Sequence, residues 1–184
     1  MKLNIKSEII QSSFILLIFM NLFNVAGYIF QSISARMLGP SDYGILAVLM
    51  SIIYIFGVPS EAIQTIISKY ATKFSINNED YRIKNLMNRG LKKFLFLGIF
   101  CFFIFSSFSP LIGKILDINT RLILLTGATI IIVFTLPVLR GVLQGMKKFT
   151  ILGTTFLFEG LAKIFFGFTL IFVGLKVYGA IGAI

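Results

Sequence analysis

The chain contains the stretch ILGTTFLFEGLAKIFFGFTLIFVGL at residues 151–175, which has the length and composition of a membrane-spanning helix. About 20 helical residues cross the ~30 Å of hydrocarbon in a bilayer, and this stretch has 25. Near its middle it carries two ionisable residues, Glu159 and Lys163. A charge at that depth costs roughly 2.5–3.5 kcal/mol, so such residues usually pair or face a polar space. The stretch therefore predicts a spanning helix with a functional site on one face.

The composition extends this interpretation to the whole chain. Of its 184 residues, 57% are hydrophobic and 13% are charged, which excludes an ordinary soluble domain. The mean hydropathy is +0.95. The net charge of +10 would also suit nucleic acid, but the 17 Lys and Arg residues lie mostly at the ends of apolar stretches, as topology determinants do. We therefore expect an all-α integral membrane protein with no nucleic-acid partner.

Apolar segments separated by turn signals give the predicted spans. We expect five complete transmembrane helices at residues 9–35, 43–72, 91–108, 122–145 and 151–175. Residues 177–184 read as the start of a sixth helix, because eight residues are too few for a crossing. Residues 1–184 are then one transmembrane lobe that stops inside a span.

The positive residues predict that the N-terminus is cytoplasmic, because cytoplasmic loops carry the excess of Lys and Arg. With that orientation the outside ends hold four cations and the inside ends hold twelve. The outside four are Arg36, Lys114, Arg121 and Lys176. The inside twelve are Lys2, Lys6, Lys69, Lys73, Arg82, Lys84, Arg89, Lys92, Lys93, Arg140, Lys147 and Lys148.

Residues 77–93 form a basic amphipathic segment on the predicted cytoplasmic side. Its apolar side chains, Ile83, Leu86, Met87 and Leu91, are expected to lie on the membrane surface while its cations meet anionic headgroups. A topology anchor is the simplest interpretation, and specific binding of lipid headgroups is the alternative.

Two prolines lie inside predicted spans. Pro59 frees the carbonyl of Ile55 from its helical hydrogen bond, and Pro137 frees that of Val133. Each is expected to kink its helix, either as bundle curvature or as a gating hinge.

Polar residues at helical spacing predict a shared interior, because a surface that faces lipid needs apolar side chains. Three spans carry such a stripe, and in the last of them four phenylalanines lie nearly opposite. The stripes are Ser13, Asn24, Gly27, Gln31 and Ser34; Gly57, Glu61, Gln64 and Ser68; and Thr155, Glu159, Lys163 and Gly167, with Phe158, Phe165, Phe168 and Phe172 facing lipid. A hydrated cavity is expected, and close helix packing is the alternative for the smaller residues.

Glu159 precedes Lys163 by four residues, the favoured order for an ion pair on one helix face. Metal sites built from Cys and His, disulfides and histidine catalysis are not expected, since the chain has no His and one Cys, Cys101. The predicted outer loops offer only Asp42 and Asp117 as acids, so a membrane glycosyltransferase or phosphatase is not expected either. We expect no enzyme, no metal and no cofactor.

Two segments carry a family resemblance. Arg36-Met-Leu-Gly-Pro-Ser-Asp-Tyr-Gly-Ile-Leu-Ala47 resembles the Arg-x-Leu-Gly-Pro-x-x-Tyr-Gly signature of polysaccharide flippases in the multidrug/oligosaccharidyl-lipid/polysaccharide exporter superfamily. Pro137-Val-Leu-Arg-Gly-Val-Leu-Gln-Gly-Met-Lys-Lys-Phe149 resembles that family's link between its fourth and fifth spans. The resemblance implies two six-helix lobes around a central cavity, of which this chain is the N-terminal lobe without most of its sixth helix.

The resemblance also implies a function. Similar proteins move polyprenyl-diphosphate-linked glycans across the cytoplasmic membrane by alternating access. Lys163 would then hold the diphosphate beside Glu159, and Arg36 would line the outer mouth. The remaining candidate cavity residues are Asn24, Gln31, Gln64 and Thr155. The alternatives are a cation-coupled drug or metabolite exporter that uses Glu61 or Glu159 as its ion site, and a membrane fragment that transports nothing.

Overall fold

A computed structural model of the chain describes the backbone of residues 2–184 and the side chains of residues 11–184. The regular elements of this part are helices: α1 Lys2–Ile76, α2 Asp80–Leu116, α3 Thr120–Gly145, α4 Phe149–Leu170 and α5 Lys176–Gly182, with a π-helical turn Ile171–Leu175 between α4 and α5. Four stretches are long and apolar enough to cross a membrane, the last of them running from Phe149 to Gly182. In the described part of the chain, the prediction of an all-helical protein with several helices long and apolar enough to cross a membrane is confirmed.

The predicted number of helices is wrong. The sequence predicted five complete helices and the start of a sixth, and the structure has four long ones. Residues 9–35 and 43–72 both lie in α1, and residues 151–175 and most of 177–184 lie in the stretch Phe149–Gly182. The reason is local, because the breaks at Gly39 and Gly174 need no loop residues between the helical segments that they separate.

Gly39 is the residue at which α1 changes direction. Its dihedral angles, φ 75° and ψ 173°, lie in a region that essentially only glycine occupies. Pro40 follows it and begins the next helical segment, where the missing N–H of proline costs no hydrogen bond. We call residues 2–38 α1a and residues 40–76 α1b.

The contacts of α1a and α1b show that they run in opposite directions. Side chains of α1a pack on α4 in ascending order, Phe19 at Gly153, Ala26 at Gly160 and Phe30 at Gly167, so these helices are parallel. Side chains of α1b pack on α3 in ascending order, Ile67 at Gly141 and Ala71 at Gly145. Because α3 and α4 form a hairpin around residues 146–148, the two halves of α1 are antiparallel.

The glycines at these contacts let the helices approach closely. In α4 they recur every seven residues, at 153, 160 and 167, and in α3 the pair at 141 and 145 forms a G-x-x-x-G motif. Small residues at this spacing are typical of tight contacts between membrane helices. The sequence analysis placed Gly167 on the stripe facing an expected cavity, with packing as the alternative, and the structure shows packing there and at the other four glycines.

The buried side chains form two cores at opposite ends of the bundle. The first lies at the end that contains Gly39 (the Gly39 end), and the second lies at the end with the turns at 77–79 and 146–148 (the basic end). The Gly39-end core comprises Phe30, Leu46, Leu49, Met50, Ile118, Leu122, Ile123, Ile171, Val177, Ala180 and Ile181. The basic-end core comprises Ile63, Ile67, Ile83, Ile130, Phe134, Val138 and Val142.

The two cores draw on different helices. The Gly39-end core takes residues from both halves of α1, from α3 and from α5. The basic-end core takes residues from α1b, α2 and α3, and none of the described residues of α1a or α4 belongs to it. At the basic end the molecule is therefore a pair, α1a with α4, beside a trio, α1b with α2 and α3.

The basic amphipathic segment is part of α2, and its apolar face does not lie on the membrane surface as expected. Ile83 is buried in the basic-end core, and Leu86, Met87 and Leu91 pack against that core. Arg82, Lys84, Arg89, Lys92 and Lys93 are all exposed. These apolar side chains are covered by other helices of the bundle instead of by lipid headgroups.

Neither Pro59 nor Pro137 interrupts its helix, since the one non-helical residue inside α1 is Gly39 and α3 contains none. The carbonyl of Val133, which Pro137 frees, accepts a hydrogen bond of 2.8 Å from the hydroxyl of Ser60 in α1b. Such replacement by a neighbouring hydroxyl is one way in which membrane helices tolerate proline. Pro137 is buried and Pro59 is exposed.

Candidate functional site

An ion pair between α3 and α4 is the centre of the candidate site. Nη2 of Arg140 donates a hydrogen bond to Oε2 of Glu159. The Arg140 side chain is 15% exposed and that of Glu159 is 35% exposed. A carboxylate and a guanidinium are thus paired between two helices whose sequences are largely apolar.

The hairpin register explains how these two residues meet. Glu159 lies ten residues into α4, or about 15 Å at 1.5 Å per residue, whereas Arg140 is five residues, or about 7.5 Å, from the end of α3. Side chains on a helix lean toward its N-terminus. Because α3 and α4 are antiparallel, Arg140 leans toward the membrane centre and Glu159 leans toward the basic end, so their heads converge.

The guanidinium of Arg140 also lies on an aromatic ring. Its Cζ is 4.2 Å from the ring centroid of Phe156, which in turn contacts Phe23 of α1a at a centroid distance of 5.6 Å. Nε of Arg140 is buried and has no hydrogen-bond partner. The guanidinium is therefore held by one carboxylate and one ring, and part of its donor capacity is unused.

Lys163 is not the ion-pair partner of Glu159 that the sequence predicted. Within the part of the chain whose side chains are described, the ion pairs are Arg82–Glu79, Arg140–Glu159 and Lys176–Asp42. Nζ of Lys163 lies 4.9 Å from the ring centroid of Phe30 in α1a. Arg140 takes the carboxylate because it comes from a facing helix and its planar fork suits carboxylate geometry.

A second polar contact joins α3 to α1b one turn from Arg140. Nε2 of Gln64 donates to Oε1 of Gln144 at 2.9 Å. Gln64, a predicted cavity residue, therefore has a structural partner. Together with the Ser60 bond, this contact ties α1b to α3 through polar groups inside the bundle.

Three predicted residues of α1, Asn24, Gln31 and Glu61, lie on two stripes that point away from the helices on which α1a and α1b pack. At 100° per residue, one stripe of α1a contains Asn21, Asn24, Tyr28 and Gln31, and its centre is nearly opposite the face that packs on α4. One stripe of α1b contains Ser51, Tyr54, Glu61 and Thr65. Asn24 and Glu61 are exposed, and Gln31 is half-buried. The structure thus separates Asn24, Gln31 and Glu61 from the Arg140–Glu159 pair.

Two further predicted residues are not brought to the ion pair. The hydroxyl of Thr155 donates to the carbonyl of Leu152 in its own helix at 2.7 Å. Arg36 is exposed beside the Gly39 turn. At that same end Nζ of Lys176 lies 3.4 Å from Oδ2 of Asp42.

Two open pockets lie elsewhere on the molecule. One, of about 380 Å³, is an apolar groove between α1b and α2 lined by Phe56, Cys101 and Phe105 among others. The other, of about 320 Å³, lies at the Gly39 end beside Asp42, Lys176 and Tyr178. Neither pocket is lined by Arg140, Glu159 or Lys163.

The sequence analysis missed Arg140, Gln144, Phe30 and Phe156 as site residues. Arg140 was assigned to the set of topology determinants, although it lies inside the predicted span 122–145. The signal that could have identified it is the hairpin, which places an arginine inside one span close to an acid inside the next.

Comparisons of the chain with protein-family models, with curated proteins and with solved structures gave no match. The family resemblance of the segments at Arg36 and Pro137 therefore stays a prediction from those residues. What the site can do must be argued from its own geometry. It offers two cations and one carboxylate, with aromatic rings against both cations.

Proposed function

We propose that this chain is one lobe of a transporter that moves lipid-linked oligosaccharides across the cytoplasmic membrane by alternating access. The chain crosses the membrane five times in this proposal, with its N-terminus in the cytoplasm and with Gly39 as the turn between the first two crossings. A second six-helix lobe supplies the opposite wall of the cavity. The substrate is a glycan on a polyprenyl diphosphate.

The observation that carries this proposal is the position of Lys163. Its ammonium lies 14 residues, or about 21 Å, into α4, against the ring of Phe30 and with no carboxylate within ion-pair distance among the described side chains. A cation at membrane depth is expensive unless an anion or water accompanies it. A diphosphate supplies that anion, and the carboxylate beside it is already held by Arg140.

The exposed stripes of α1a and α1b suit the glycan. Asn21, Asn24 and Gln31 present amides, and Tyr28 and Tyr54 present hydroxyls on aromatic rings. A polar stripe exposed on a membrane helix needs water or a protein partner. A hydrated space shared with the second lobe meets that need and gives sugars hydrogen-bonding partners.

The experiment is complementation of a bacterial strain depleted of its own lipid-linked oligosaccharide flippase, using the complete gene. We expect Lys163→Ala to abolish growth rescue and Lys163→Arg to retain part of it. Lys114→Ala, which removes an exposed cation near the end of α2, is the matched control and should rescue fully. Full rescue by Lys163→Ala, at equal protein level, would reject the assignment.

One observation favours a cation-coupled exporter of drugs or metabolites as the second candidate. Glu61 is an exposed carboxylate near the middle of α1b. Such an exporter would expel cationic dyes from vesicles in response to a proton or sodium gradient, and Glu61→Gln would stop it while Lys163→Ala would not. If neither transport activity is found, the chain is a membrane component without transport function.

A further inference from the structure

The bundle is joined differently at its two ends. At the Gly39 end, one apolar core connects α1a, α1b, α3 and α5. At the basic end, the described core residues connect only the trio of α1b, α2 and α3. A pair of helices that shares a core at one end only can pivot there, because packed cores resist deformation more than polar contacts do.

The side-chain contacts of Arg140 close the basic end. Among the described side chains, the Arg140–Glu159 pair is the hydrogen bond that links α4 to the trio. The other side-chain bonds of α1a and α4 stay within their own helices, as those of Asn21, Thr154, Thr155 and Thr169 do. Movement of the pair away from the trio must therefore break this hydrogen bond and separate the Arg140 guanidinium from the Phe156 ring of α4.

We propose that the Arg140–Glu159 ion pair is a latch at the basic end, and that a phosphate group opens it by replacing Glu159 on Arg140. The ligand class rests on the proposed function, whereas the latch itself does not. In the latched state the carboxylate of Glu159 occupies the anion position that the phosphate takes in the open state.

The chemistry of Arg140 favours this exchange. A guanidinium binds phosphate in a bidentate manner, through two parallel N–H···O bonds. In the latched state Arg140 uses Nη2 for the carboxylate, and its buried Nε has no partner. A phosphate can therefore satisfy a donor that Glu159 leaves unsatisfied.

Lys163 explains why a diphosphate would act more strongly than a monoanion. It lies one turn from Glu159 on the same helix, and its ammonium has no carboxylate at ion-pair distance among the described side chains. Lys163 can attract the second phosphate group while the first replaces Glu159 on Arg140. Glu159, which is already 35% exposed, then turns to the polar space.

The first experiment measures the latch without ligand. Spin labels are placed at the basic end on α1a and α2, by Phe14→Cys and Asn88→Cys in a Cys101→Ala chain, and the distance between them is measured by pulsed electron paramagnetic resonance in lipid nanodiscs. Both labelled positions are exposed. We expect Glu159→Gln to shift the distribution to longer distances. The swap of Arg140→Glu with Glu159→Arg should restore the wild-type distribution.

Asp42→Asn is the matched control, because it breaks an ion pair of the same kind at the Gly39 end. It should leave the distance at the basic end unchanged. An unchanged distribution in Glu159→Gln would overturn the latch, and so would an equal shift in Asp42→Asn.

The second experiment adds ligand to the labelled wild-type protein. The probes are inorganic pyrophosphate, a polyprenyl diphosphate and the same polyprenol without phosphate. We expect both diphosphates to lengthen the distance and the alcohol to leave it unchanged. A response to the lipid-linked form alone still supports the proposal and identifies the lipid as the source. No response to either diphosphate would overturn opening by phosphate.

Substitutions at Glu159 and Arg140 test whether these two side chains cause the distance response to diphosphate. Glu159→Gln should bind pyrophosphate about tenfold more tightly, because no charged competitor remains on Arg140. Arg140→Gln should lose the distance response, and Arg140→Lys, which keeps the charge without the fork, should weaken it if the glutamine variant does not fold. A full response in both would overturn the role of Arg140. If the distance measurements support the latch but the wild-type protein does not rescue the flippase-depleted strain, the proposed flippase function alone is rejected.

Discussion

Gly145 of α3 lies so close to Ala71 of α1b that a Cβ atom on the glycine would be 2.5 Å from the Cβ of the alanine. The same atom would lie 2.6 Å from the carbonyl oxygen of Ser68. The hydroxyl of Thr72 in α1b donates a hydrogen bond to the carbonyl of Gly145 at 3.1 Å. The two helices therefore touch through their backbones near the basic end.

Gly145→Ala should destabilise the protein by about 1–3 kcal/mol, the usual effect of inserting a methyl group into a packed contact. The measurement is thermal unfolding in detergent. Gly57→Ala, in α1b, is the control, because nothing lies within 4 Å of its added Cβ, and it should be neutral or slightly stabilising. Equal effects of the two changes would contradict the close contact.

Gly39→Ala tests the turn between α1a and α1b. No atom lies within 4 Å of a Cβ at this position, so any destabilisation comes from the backbone angles. Residues forced into such angles cost about 1–3 kcal/mol. Gly44→Ala has equally open surroundings and helical geometry, and should cost nothing. A neutral Gly39→Ala would mean that α1 does not turn as described.

The Arg140–Glu159 pair should show coupling in a double-mutant cycle. Arg140→Gln and Glu159→Gln each leave a partly buried charge without its partner, and we expect a loss of about 1–3 kcal/mol for each. The double variant should lose less than the sum of the two. Additive losses in unfolding experiments would show that the two side chains do not interact.

The bond between Gln64 and Gln144 should contribute about 0.6–1.7 kcal/mol, that is, between the average and the largest contribution of side-chain hydrogen bonds between membrane helices. Gln64→Leu leaves the Gln144 amide without its partner and should lower the unfolding temperature. Adding Gln144→Leu should recover part of that loss, because two apolar side chains replace the pair. A further decrease in the double variant would argue against the bond.

The predicted orientation can be tested with single cysteines in a Cys101→Ala chain. Asn88→Cys should react with a membrane-impermeant maleimide only after the cells are opened, and Lys114→Cys should react in intact cells. Both positions are exposed. The reverse pattern would place the N-terminus outside, and reaction of both in intact cells would contradict a crossing by α2.

The sequence predicted where the apolar helices begin and which faces they expose more accurately than it predicted which side chains contact each other. The predicted spans 122–145 and 151–175 begin within two residues of α3 and α4. Phe158 and Phe172, predicted to face lipid, are 73% and 76% exposed. Periodicity is sufficient here, because which face of a helix is apolar is a property of that helix alone.

The contact made by Glu159 could not be predicted in the same way. Spacing within α4 offered Lys163 as its partner, and the structure provides Arg140 from α3. That choice depends on how far two antiparallel helices slide past each other, which the glycines of their contacts with α1 determine. Helix periodicity contains no such information. Gly39 lies between the predicted spans 9–35 and 43–72, but its ability to reverse α1 without a loop depends on its angles.

The bond from Ser60 to the carbonyl of Val133 has a consequence for biosynthesis. Pro137 leaves α3 with a backbone carbonyl that has no partner of its own, and in a lipid environment that is unfavourable. The hydroxyl that meets it belongs to a segment that the ribosome makes earlier. The later helix is thus completed by a donor that is already present when it enters the bilayer, and α3 made without α1b should insert less efficiently.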